Sequence, residues 1–160
     1  MRSEPSQLSP RKLLLFCLPA AGGLLLGAKF LLPWLFPLAW VSFIPLLWCL
    51  HRSALRWGMG ALCGWLMGLA ANLAGFYWLG YTIRVFGGFP HGVAEFVFLL
   101  YASLAALQFA FLSLVVWRWG MGPFGLIPPL VWVALEFWFP LLFPWHLANS
   151  QASFLTLIQS

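Results

Sequence analysis

Residues 93–117 read VAEFVFLLYASLAALQFAFLSLVVW, an apolar run interrupted by a single charge, Glu95. A helix that crosses the hydrocarbon core of a bilayer needs about 20 apolar residues, and this run exceeds that length. Worked outward in both directions, the chain offers four more such stretches, at 13–32, 34–50, 55–79 and 124–142. The expected fold is therefore all-α, a polytopic transmembrane helical bundle of about five spans. The stretch at 34–50 is short, and Pro37 and Pro45 predict bends in it. Residues 1–12 read as a cytoplasmic tail and 13–160 as one membrane domain. Residues 146–160 mix polar and apolar types, which suits an interfacial or re-entrant segment better than a sixth span.

Composition agrees with the runs. The chain of 160 residues is 63% hydrophobic and 7% charged, with a mean hydropathy of +0.94. Soluble domains carry about 25% charged residues. A water-soluble domain of this size leaves much of its surface exposed and has nowhere to hide so much apolar area. The net charge of +5 is no nucleic-acid footprint, because the basic residues are spread between the apolar runs. Arg2, Arg11, Lys12, Arg52, Arg56 and Arg118 fall on one side of the expected topology, and Lys29 and Arg84 on the other. Basic residues concentrate in cytoplasmic loops, so the N-terminus is expected inside. The loop Phe86-Gly87-Gly88 and residues 143–151 then share the outer face. Trp34, Trp57, Trp117, Trp119 and Trp145 stand near span ends, where amphipathic rings favour the interface.

Cys17, Cys49 and Cys63 lie in apolar stretches without C-x-x-C spacing, which reads as free thiols rather than disulfide or metal chemistry. Arg11-Lys12 before the first apolar run looks like the start of a signal peptide. The run continues to Leu32 and further spans follow, so an uncleaved signal-anchor is expected. No internal repeat of the kind found in secondary transporters is visible.

A few residues stand out against this background. Gly60, Gly64, Gly68 and Asn72 recur every fourth position, a small-residue ridge that lets a second helix approach closely. Glu95 follows His91 by one turn, which puts both on one helix face near the outer boundary. Glu136 lies deeper in its run, beside Trp132, Phe137 and Trp138. An ionisable group at that depth is costly and marks a candidate site, either bonded to a neighbouring helix or facing a polar groove. His146 has no activated Ser or Cys at a recognisable spacing, so no catalytic residue is assigned. No metal set and no cofactor motif is present.

Four segments in order add a family resemblance: Gly75-Phe76-Tyr77-Trp78, then Phe86-Gly87-Gly88-Phe89-Pro90, then Val131-Trp132-Val133-Ala134-Leu135-Glu136, then Phe143-Pro144-Trp145 leading to Ser150-Gln151. From about Leu13 onward, the chain resembles the N-terminal membrane domain of apolipoprotein N-acyltransferases. The resemblance implies a multi-pass protein of the bacterial inner membrane, followed by a periplasmic nitrilase-like domain with a Glu-Lys-Cys triad. It implies an activated thiol that takes an acyl chain from a phospholipid and passes it to the N-terminal diacylglyceryl-cysteine of a lipoprotein. The implied partners are the phospholipid donor, the diacylated lipoprotein and membrane lipid, with no nucleic acid. Tyr77, Trp78, Glu136, Trp145, Ser150 and Gln151 become candidates for a lipid-accessible groove, and Gly87, Gly88 and Pro144 join the glycine ridge as structural positions. None of the triad falls in this sequence, so the chain alone is expected to be inactive. Two departures stand out: the stretch after Glu136 is short and lacks a basic residue, and residues 155–160 read like the start of a continuing segment in a truncated chain. Two other readings are a non-catalytic anchor for a partner such as a glycosyltransferase, and a small transporter subunit using Asn72, Glu95 and Glu136.

Overall fold

A computed structural model of the chain describes residues 10–52, 55–140 and 146–147. Among the described residues the fold is all-α: α1 (Pro10–Leu31), α2 (Leu38–Val41), α3 (Ile44–Arg52), α4 (Trp57–Gly75), α5 (Trp78–Gly87), α6 (His91–Trp119) and α7 (Ile127–Trp138). Three helices are long and apolar enough to cross a membrane, over Leu14–Leu31, Trp57–Gly75 and His91–Trp119. Shorter apolar helices occupy Leu38–His51 and Pro123–Trp138. The chain is a helical membrane protein.

The centre of the bundle is α4, which packs most extensively on α1 and α6. Small residues make both contacts. A side chain at Gly27 of α1 would stand 2.5 Å from Ala74 Cβ, and one at Gly23 would meet Ala70 Cβ at 2.9 Å. On the other side, a side chain at Gly64 would meet Ser113 Cβ at 2.8 Å, and one at Gly68 would meet Ala106 Cα at the same distance. Lipid tails are as apolar as leucine, so helices in a membrane gain little from hiding apolar area. Close backbone approach replaces that driving force with dispersion contacts. Two long-range indole bonds hold the register: Trp65 Nε1 donates to Ser103 O at 3.1 Å and Trp117 Nε1 to Leu55 O at 2.7 Å. The fully buried side chains Leu26, Leu46, Met67, Phe109 and Leu112 fill the space between helices. Leu24, Phe96, Leu104, Phe111 and Leu130 face outward, as lipid contact requires.

The stretch at 34–50 is interrupted twice. A 3-10 turn at Pro33–Leu35 leads to α2, and the helical hydrogen bonding lapses at Ser42-Phe43 before α3, although Ser42 keeps helical dihedrals at φ −61°, ψ −31°. Pro45 lacks an N–H to bond backward and sits in the first turn of α3, where that loss is harmless. Ser42 Oγ donates to Ala39 O at 3.0 Å and so caps the end of α2. Gly22 of α1 makes room for the Ser42 carbonyl.

The stretch at 55–79 also divides. Helix α4 ends at Gly75, and Phe76 leaves the helical region at φ −117°, ψ 23°. Leu79 N–H then bonds Phe76 O at 2.8 Å and opens α5. Helix α5 closes on Gly88, whose φ of 67° is a left-handed conformation that glycine adopts without a steric penalty. After Phe89-Pro90 the chain returns along α5 as α6. At 29 residues α6 outruns the 19 of α4. Gly60 lies near Trp117 and Gly68 near Ala106, so the excess projects at the His91 end, where α5 packs on it. A tight reversal with left-handed Gly120, Gly122, Phe124 and Gly125 connects α6 to α7. Pro128 and Pro129 open α7, which at 12 residues spans about 18 Å and cannot cross a core of roughly 30 Å alone.

Candidate functional site

Glu136 is the best-connected ionisable side chain described. It lies near the C-terminal end of α7 with its side chain 13% exposed. Its Oε1 accepts a hydrogen bond from Trp132 Nε1 at 2.7 Å, one turn back on the same helix, and another from the backbone N–H of Leu147. Its Oε2 faces His146 Nδ1 at 3.8 Å. The expected choice between a neighbouring helix and a polar groove therefore resolves differently. The carboxylate ties its own helix to the segment at residues 146–147. Two donors converge on one carboxyl oxygen, so one side chain fixes both an indole and a backbone amide.

Trp132 links this knot to the core. Its ring meets Phe109 edge-on at 4.8 Å between centroids and Phe43 at 5.0 Å, and Phe43 stacks on Phe109 at 6.0 Å. Edge-to-face and stacked pairs at these separations are favourable, and three mutually packed rings pin α7 against α6 and the α2–α3 junction.

Beside this cluster runs a groove of about 400 Å³. Ala39, Trp40, Phe43 and Leu47 line it from α2, α3 and their junction, and Pro128, Pro129, Trp132 and Val133 from α7. Leu112 of α6, Glu136 and Leu147 complete it. The walls are almost wholly hydrocarbon, so the space suits an alkyl chain and offers no nucleophile. Cys49 and Cys63 are fully buried in helix contacts and do not reach it.

The other expected positions lie elsewhere. Tyr77 and Trp78 sit at the α4–α5 break, both exposed, with the Trp78 ring 6.4 Å from that of Phe76. Tyr77 lines a second pocket between α5 and α6, separate from the groove at Glu136. Gly64, Gly68 and Asn72 are buried on α4, as is Gly60 opposite Trp117. Asn72 Nδ2 donates to Gly68 O at 2.8 Å along its own helix, and its Oδ1 is buried without a hydrogen-bond partner among the described residues. Gly87 and Gly88 end α5. His91 and Glu95 pair at 3.3 Å, as their spacing predicts. Trp145, Pro144, Ser150 and Gln151 lie outside the described residues. No cluster of three metal-binding side chains occurs among the described residues. Sequence reasoning missed Trp132 and Leu147 as partners of Glu136.

Comparison with known proteins then places the chain. The family model described as the apolipoprotein N-acyltransferase N-terminal domain matches residues 22–160. The apolipoprotein N-acyltransferase of Geobacter metallireducens is 33% identical over 150 residues, which cover 90% of this chain and 28% of that protein. The chain thus spans little more than a quarter of the length of this relative. No solved structure matches.

Proposed function

Because the chain belongs to the apolipoprotein N-acyltransferase N-terminal domain family, we propose that it is the membrane portion of an enzyme of lipoprotein maturation. In this reading the whole enzyme moves an acyl chain from a phospholipid to the N-terminal diacylglyceryl-cysteine of a lipoprotein, in the bacterial inner membrane. The family match over 22–160 carries the proposal, and the apolar groove beside Glu136 supports it. The helices supply a lipid-embedded platform. The groove receives a lipid chain from the side, and the outer ends of the helices present substrate to an acyl-carrying thiol.

That thiol is none of the three cysteines here. Cys49 and Cys63 are sealed in packing contacts, and Cys17 lies on α1 inside the membrane-crossing stretch. A nucleophilic thiol needs a partly exposed, electropositive setting that lowers its pKa. In this reading the N-terminus is cytoplasmic, which the spread of the basic residues supports, and Tyr77, Trp78, Glu136, Trp145, Ser150 and Gln151 belong to the side where substrates meet the enzyme.

Purified chain incubated with phospholipid and a diacylated lipopeptide is expected to give no N-acylated product above a protein-free control. Product formation would show that the chain carries its own acyl-transfer chemistry and would overturn this division of labour. A phospholipid with a photoreactive acyl tail is expected to label peptides from α7 and the α2–α3 junction. Val133→Trp, which fills the groove, should reduce that labelling severalfold.

A further inference from the structure

The dipeptide Arg-Trp occurs twice in the sequence, at Arg56-Trp57 and at Arg118-Trp119. The first opens α4 and the second closes α6. Although the two lie far apart in the chain, the fold sets them at the same end of the bundle. Trp117 Nε1 donates to Leu55 O at 2.7 Å, which joins the residue before one pair to the residue before the other. Gly60, one turn into α4, lies against the same Trp117 side chain. This end is opposite the His91 end of α6 and away from Tyr77, Trp78 and Glu136.

Charge and aromatic surface together define what fits. Arg56 and Arg118 are exposed, and neither makes a salt bridge among the described residues. The described carboxylates stand elsewhere and have partners: Glu95 in the second turn of α6 pairs with His91, and Glu136 near the far end of α7 faces His146. Two guanidinium forks with no counter-charge beside them suit the oxygens of a phosphate and repel an ammonium. Trp57 and Trp119 are exposed next to them, and the Arg118 guanidinium lies 5.9 Å from the centre of the Trp119 ring. Indoles at the end of a span settle at the headgroup level of the bilayer. Phe124, in the reversal that follows Trp119, is 99% exposed and held at φ 54°, a left-handed backbone disfavoured for a bulky residue. At that exposure its ring serves no packing within the fold, and it extends the apolar rim.

We propose that the paired Arg-Trp dipeptides bind an anionic phospholipid, its phosphodiester between the Arg56 and Arg118 guanidiniums and its depth set by Trp57 and Trp119. A free phosphate offers the same oxygens. The exposed indoles and the Phe124 ring favour the lipid, because a wholly aqueous ligand would leave them bare. A basic residue at the membrane surface attracts anionic lipid singly, and two on adjoining elements act on one headgroup. The inference rests on the membrane fold alone. The lipid at this end is a bound companion of the helices rather than an acyl donor.

The test is native mass spectrometry of the delipidated full chain in detergent. Phosphatidylglycerol, phosphatidylethanolamine and inorganic phosphate are added back separately. The expected result is retention of phosphatidylglycerol severalfold above phosphatidylethanolamine, with little retention of inorganic phosphate. Arg56→Gln and Arg118→Gln should each weaken phosphatidylglycerol retention about fivefold, and the double variant should remove the preference between the lipids. Arg56→Lys, which keeps the charge without the fork, should lose less. Circular dichroism checks that helicity stays unchanged, and should the double variant not fold, the single variants decide. Phosphatidylglycerol with a photoreactive headgroup should label peptides from the start of α4 and from the α6–α7 reversal. Equal retention of the two lipids by the unaltered chain, an undiminished preference in the folded variants, or labelling confined to the His91 end of α6 overturns the proposal. Inorganic phosphate bound as tightly as lipid overturns it as well.

Discussion

Glu136 shows how a residue conspicuous in sequence takes its role from partners that were not. A carboxylate in an apolar run signals a site, but the sequence alone left open what it touches. Trp132 stands four residues before it, so their contact on one helix face was within reach of spacing rules. Leu147 lies eleven residues on, and no periodicity links them. Glu136→Ala should leave the indole and the amide without an acceptor and cost about 1–3 kcal/mol, whereas Glu136→Gln keeps an oxygen in place and costs less. Thermal unfolding in micelles orders the variants. Hydrogen exchange at the Leu147 amide should quicken by at least about tenfold in Glu136→Ala, in proportion to the lost protection.

At the level of elements, the three-helix core α1–α4–α6 rests on close backbone approach. The glycine ridge of α4 was legible because its four-residue spacing is regular. The small-residue face by which α1 meets the other side of α4, at Gly23 and Gly27, is masked in sequence by the leucines around it and emerges only from the packing. The prolines at 37 and 45 were readable as bends. The interruption between α2 and α3 also involves the local Ser42–Ala39 bond and the Gly22 contact, the second of which belongs to tertiary structure. Likewise, nothing in the apolar run at 55–79 announces that the helix stops at Gly75. Gly64→Ala places a methyl group against Ser113 and the Phe109 carbonyl, and should destabilise by about 1–3 kcal/mol, the usual cost of overpacking. Gly58→Ala is the contrast. It meets nothing within 4 Å and lies in the first turn of the same helix. It should be neutral or stabilise by up to about 1 kcal/mol through helix propensity. Thermal denaturation of the two variants in the same detergent gives the comparison.

For the whole molecule, the class was decided by composition and by the runs, since no soluble arrangement accommodates them. Orientation is a separate matter that rests on the asymmetry of the basic residues. In a cysteine-free background, Phe86→Cys should react with an impermeant maleimide added outside intact cells, and Trp119→Cys only after the membrane is opened. The reverse pattern would invert the topology, and with it the placement of the candidate groove residues. The apolar groove was the least legible feature, because its walls come from α2, α3, α6 and α7 and exist only once those elements meet.

The unequal lengths of α4 and α6 have a mechanical consequence. The final turns of α6 toward His91, roughly 12 Å of helix, have α5 beside them but not α4. In a thin bilayer this ledge rises clear of the surface; in a thick one it sinks among the acyl tails and takes Arg84, His91 and Glu95 with it. Submerging those charges is unfavourable. The hairpin thereby favours bilayers thin enough to leave its charges among the headgroups.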